Sequence, residues 1–60
     1  KIETVIQKLP NDYKLIIRLK YMEGYQVERI AQEMSLSFKA TESLLYRARK
    51  AFINLYKKST

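Results

Sequence analysis

Arg47 and Lys50 stand at the centre of a set of side chains that could meet a polyanion. On a 3.6-residue wheel, Lys39, Ser43, Tyr46, Arg47, Lys50, Asn54 and Lys57 fall on one side of the segment that follows Ser37, with no acid among them. A guanidinium presents a fork of donors that fits guanine O6 and N7, a pairing worth about 1–3 kcal/mol of discrimination. Lysine ammoniums suit phosphates, which position a duplex without reading it. Ser43, one turn before Arg47, is small enough to let a helix approach the bases. Tyr46 can stack or touch a thymine methyl, and it can equally cover the edge of a core. Glu42, on the flank, can accept from a cytosine amino group, or pair with Lys39 or Arg49 and never meet a base. The predicted base contacts are therefore Glu42, Ser43, Tyr46 and Arg47. Lys39, Lys50, Arg29, Lys14 and Arg18 are the predicted phosphate contacts. For each the alternative is an ordinary solvated side chain.

Other chemistries find little material. There is no cysteine and no histidine, which removes disulfides, thiolate metal sites and the commonest base and metal ligand. The six acids are spread over predicted exposed helical positions, so no carboxylate pair is set up for acid–base work. No glycine-rich phosphate loop occurs. The chain reads as a non-enzyme with no metal and no cofactor. Its tyrosines (Tyr13, Tyr21, Tyr25, Tyr46, Tyr56) are scattered by helical spacing and read as core-edge residues, not a stacking platform.

The elements that must position this face are helices. Val27, Ile30, Ala31 and Met34 follow the spacing of one helical stripe, and Ser35-Leu36-Ser37 interrupts it. Ser37 can cap a following helix, whose buried side is marked by Thr41, Leu45, Ala48, Phe52 and Leu55. Leu44 is expected in the core as well, and Phe38 at its start. Two helices around a tight corner, the second with a cationic outer side, make a helix-turn-helix and predict DNA. Upstream, Ile2, Val5, Ile6 and Leu9 mark a short helix over Lys1–Lys8, ended by Leu9-Pro10. Pro10 suits the first turn of a second helix running to Glu23, apolar over most of its circumference, with Lys14 and Arg18 as its wet strip. Gly24 can close it in the left-handed conformation. The third helix is expected over Gln26–Met34 and the fourth over Phe38–Lys57, with Ser59 and Thr60 frayed. The predicted fold is all-α, four helices in one domain over residues 1–60.

Sixty residues bound the domain to a small core, since so short a chain buries only about 60% of its unfolded surface. Twelve basic and six acidic residues give a net charge of +6, which suits nucleic acid first and an acidic protein or anionic membrane second. No membrane span or signal-peptide pattern is present. The first residue is Lys1, not an initiator Met, and the chain is expected to be a piece of something longer.

The landmarks Leu9-Pro10, Tyr21-Met22-Glu23-Gly24, Ile30-Ala31, Leu36-Ser37 and Arg47-Ala48-Arg49 together resemble the C-terminal promoter-binding domain (region 4) of bacterial sigma factors, most closely the extracytoplasmic-function group. The resemblance covers nearly the whole chain. It implies a transcription initiation factor of the bacterial cytoplasm, acting at the nucleoid, whose fourth helix enters the major groove of the minus-thirty-five promoter element. It also implies docking on the β flap of RNA polymerase and inhibition by an anti-sigma partner. This chain departs from the family's habits at Ser35, where the corner usually has Gly, Asp or Asn, and at Gln26, where the cap is usually Ser or Thr. It also has Glu42 and Leu44 where many members carry Lys or Arg. Two other readings remain: a response-regulator effector domain of the LuxR type, and a helical protein-interaction module. The apolar breadth of the second helix and a patch of Leu44, Phe52, Ile53 and Tyr56 support the latter.

Overall fold

In a computed structural model, described over residues 1–58, the chain folds into four α-helices and one π-helical turn. Ser59 and Thr60, expected to fray, lie outside the described residues. Helix α1 covers Ile2–Gln7, α2 covers Asn11–Ile17 and runs without a break into a π-helical turn at Arg18–Met22, α3 covers Val27–Met34 and α4 covers Phe38–Lys58. Pro10 stands one place earlier than expected. It is the N-cap of α2, and its carbonyl accepts from the Lys14 N–H at 2.8 Å. With φ fixed near −65° and no donor to lose, proline suits either position.

The second helix widens before it ends. Glu23 N–H donates to the Arg18 carbonyl five residues back, at 2.9 Å, and Tyr25 N–H reaches the Leu19 carbonyl at 3.0 Å. That last bond spans one residue more than the usual helix-closing pair, as a π turn requires. Gly24 then turns the chain at φ +76°, the conformation in which a Cβ is costly.

The corner between α3 and α4 is a Schellman closure. Leu36 N–H donates to the Ala31 carbonyl at 2.9 Å and Ser35 N–H to the Gln32 carbonyl at 3.3 Å. Ser35 takes the left-handed conformation itself, at φ 57° and ψ 43°. A serine there costs about 1 kcal/mol or more that glycine would not, offset in part by glycine's freer unfolded chain. Ser35→Gly is therefore expected to stabilise the domain by about 0.5–1 kcal/mol, read as a raised denaturation midpoint at unchanged slope. Immediately after the corner, the Ser37 hydroxyl accepts from Ala40 N–H at 3.1 Å and caps α4 as expected. Gln26 makes no side-chain bond at the start of α3.

The core lies between α4 and the other three helices. Val5, Ile6, Leu9, Ile16, Ile17, Ile30, Ala31, Leu44, Leu45 and Ala48 are buried. Thr41 is the buried polar residue of the set, and its hydroxyl donates to the Ser37 carbonyl at 2.7 Å. Phe52 and Leu55 pack on this cluster from the end of α4. Three expectations are corrected. Leu15, Tyr21 and Met22 are exposed, so α2 is less widely covered than its composition predicts. Phe38 is 47% exposed and does not pack at the start of α4. Ile2 points out of the core side of α1, at 55% exposed. At 21 residues α4 is about 31 Å long, and it sets the 34 Å long dimension of the domain.

An ion pair ties α1 to the π turn: Arg18 Nη2 donates to Glu3 Oε2 at 2.6 Å, with Nη1 at 3.5 Å from Oε1. The hydrogen bond from Arg18, and secondarily its charge, holds the Glu3 carboxyl below its ordinary value. A carboxylate depressed in the folded state contributes stability above its unfolded pKa and loses it as pH falls through the folded one. Glu3→Gln should therefore lower the melting temperature slightly at neutral pH and leave it unchanged once the medium is acid enough to protonate Glu3. Both side chains reach solvent, so added salt should shrink the difference.

Candidate nucleic-acid interface

The capped α4 carries the predicted cationic face on its solvent side. Lys39, Glu42, Ser43, Tyr46, Arg47, Lys50, Asn54 and Lys57 are all exposed. Glu42, Ser43, Tyr46 and Arg47, the four predicted base contacts, line one shallow depression of about 420 Å³. Tyr46 is 61% exposed and does not cover the core edge. The Lys50 ammonium lies 5.8 Å from the Tyr46 ring centroid. Arg47 has no hydrogen bond or ion pair with another described residue, so its fork of donors is available. Leu44, beside the depression in sequence, is in the core as expected.

Glu42 makes no ion pair with Lys39 or Arg49. Arg49 is engaged elsewhere: its Nε donates to the Tyr21 hydroxyl, and its guanidinium lies 5.8 Å from that ring's centroid. This pair joins α4 to the π turn across 28 residues of sequence, and no local pattern announces it. Lys14 and Arg18, the expected wet strip of α2, are each only half exposed. Arg18 already faces Glu3, and a phosphate would compete with that carboxylate. Arg29 is exposed in the first turn of α3, its guanidinium stacked 4.0 Å from the Tyr25 ring centroid. Tyr56 likewise meets a cation, the Lys1 ammonium at 4.6 Å. The tyrosines thus serve largely as platforms for cations, a role that spacing alone does not disclose.

A second feature lies off this face. Ile2, Ile6, Ile17, Tyr21, Met22, Phe52 and Ile53 line an apolar groove of about 460 Å³, with Arg49 as the charged residue among them. None of these is a predicted DNA contact, so groove and cationic face can be occupied together. Met22 and Ile53, both about half exposed, leave the groove open to solvent.

Among the described residues no cluster of acids could hold a metal ion, and no helix is long and apolar enough to cross a membrane. No curated protein and no solved structure matches the chain. The family model described as Sigma-70, region 4 matches residues 1–52. That span takes in α1, α2, the π turn, α3, the corner and the part of α4 that bears the depression. With this match, an all-α helix-turn-helix architecture and an exposed cationic face on its second helix, the chain belongs to the sigma-70 region 4 family, DNA-binding domains of the sigma factors that act with RNA polymerase in transcription, and not to a family of enzymes.

Proposed function

We propose that this domain recognises the minus-thirty-five promoter element as region 4 of an extracytoplasmic-function sigma factor, and so directs transcription initiation. Helix α4 lies in the major groove. Arg47, Ser43, Tyr46 and Glu42 meet base edges, and Lys39, Lys50, Arg29 and Lys14 meet phosphates, with Arg18 contributing least because Glu3 holds it. The observation that carries this reading is the depression formed by the four base-reading side chains on an exposed helix of a chain with net charge +6. The proposal includes that the domain is one part of a longer sigma factor working in the bacterial cytoplasm, at the nucleoid.

The apolar groove suits the β flap of RNA polymerase, since its lining is separate from the DNA face and docking leaves α4 free. An anti-sigma partner would act by covering either surface. One small module binds DNA weakly by itself, and linkage through the polymerase raises the effective concentration of α4 at the promoter.

Phosphate neutralisation supplies most of the affinity, so binding should fall steeply with salt. For on the order of four to six phosphate contacts, the log–log slope should be about −4 to −5. Fluorescence anisotropy of a labelled duplex over a salt series reads this directly. A slope near zero, with a polymerase fragment still captured, would favour the protein-interaction module instead.

A further inference from the structure

We propose that Tyr25 is a positioning residue for DNA binding, its ring presetting the Arg29 guanidinium for a backbone phosphate beside the corner. The inference rests on the DNA-binding reading above and adds to it a residue outside the cationic face of α4.

Tyr25 is itself held. Its N–H is bonded to the Leu19 carbonyl at 3.0 Å, Gly24 before it is fixed at φ +76°, and its half-buried side chain packs on the core. Arg29, one helical turn on, lays its guanidinium carbon 4.0 Å from the ring centroid and brings Nη2 to 3.4 Å from the Tyr25 hydroxyl. Stacking uses the flat face of a guanidinium and leaves donors in its plane for a phosphate. The choice of partner is informative. Glu33 stands four residues after Arg29, the spacing of a helical ion pair, yet no ion pair forms between them. Arg29 turns to an aromatic ring and keeps its charge uncompensated. It does so in the first turn of α3, where the positive end of the helix dipole disfavours a cation. A local preference overridden in this way fits a charge kept for an outside anion. In a helix-turn-helix the first helix of the pair crosses the DNA backbone, and α3 is that helix here.

The test is a set of variants of the full chain titrated with a labelled duplex over a salt series. Arg29→Ala should weaken binding to every duplex alike and lower the salt slope by about 1. Tyr25→Leu should weaken binding by about two- to fivefold, the scale of an exposed cation–π contact, and Tyr25→Phe should bind nearly as the parent does. Adding Tyr25→Leu to Arg29→Ala should cost nothing further, an outcome a merely structural tyrosine would not give. Equal losses from Tyr25→Leu in both backgrounds, or unchanged affinity in Arg29→Ala, would overturn the proposal. Should Tyr25→Leu fail to fold, Arg29→Lys carries the test by keeping the charge without the planar face. Weaker binding at an unchanged slope supports the proposal, and full affinity contradicts it. Lys50→Ala in the same series separates the two levels. If the parent chain itself shows no salt-dependent binding, the DNA-binding reading has failed; if Lys50→Ala weakens binding while Arg29→Ala does not, this inference alone has failed.

Discussion

Arg47→Ala is expected to abolish most of the domain's preference between its best duplex and one changed at a single guanine, while leaving it folded. The side chain is exposed, has no partner among the described residues and shares a depression with Glu42, Ser43 and Tyr46. Its removal opens no cavity and orphans no buried group, so the fold should not register the change. What is lost is a two-pronged bond to guanine O6 and N7, about 1–3 kcal/mol of discrimination, or roughly five- to 150-fold between the two duplexes. Lys50→Ala is the control. Its ammonium sits over the Tyr46 ring at the edge of the same face, where a phosphate contact should weaken all duplexes alike and lower the salt slope by about 1. Competition anisotropy with matched and altered duplexes separates the two outcomes. If the two variants lose affinity in the same pattern, Arg47 is not a base reader, and the division of labour along α4 is wrong.

What made α4 legible from sequence was the agreement of independent local signals. Ser37 caps, Thr41, Leu45 and Ala48 repeat at helical spacing on the inner side, and cations collect opposite. Gly24 marked a left-handed helix end for a reason internal to one residue. The π turn was not legible. Its apolar pattern is nearly that of an α-helix, and it differs by a single shifted set of carbonyl partners over Arg18–Met22. Nor could the pattern tell which apolar residues of α2 find cover. So small a core does not cover every apolar residue, and Leu15, Tyr21, Met22, Phe38 and Ile53 stay at the surface. The pairs Arg18–Glu3 and Arg49–Tyr21 join residues 15 and 28 positions apart and depend on how helices dock. Arg49 illustrates the limit. Spacing offered it to Glu42 as an ion-pair partner, whereas packing gives it to the tyrosine of the π turn.

Ile30→Ala is expected to have the largest effect on stability and to show that the two halves of the helix-turn-helix are held by packing. Ile30 is fully buried, and it lies on the face of α3 that meets α4. The corner itself adds less to stability, since its serine sits in the left-handed conformation at some cost. Truncating a buried isoleucine to alanine costs about 2–5 kcal/mol. Stabilities of about 0.05–0.15 kcal/mol per residue give a domain of this length only about 3–9 kcal/mol in total. The variant should therefore be left with little margin and be partly unfolded at physiological temperature, visible as reduced helical circular dichroism and a melting temperature lowered by about 10 °C or more. Arg47 and Lys50 are untouched in it, so a duplex that binds only the folded form should draw the population back. Ligand at about a hundred times its dissociation constant contributes about 2.7 kcal/mol, enough to restore much of the helix signal at low salt and little at high salt. Recovery that ignores salt would mean that DNA is not what gathers the cationic face. A melting temperature equal to the parent's would mean that α3 is not held on α4 by Ile30, and the presentation of Arg47 would then need another cause.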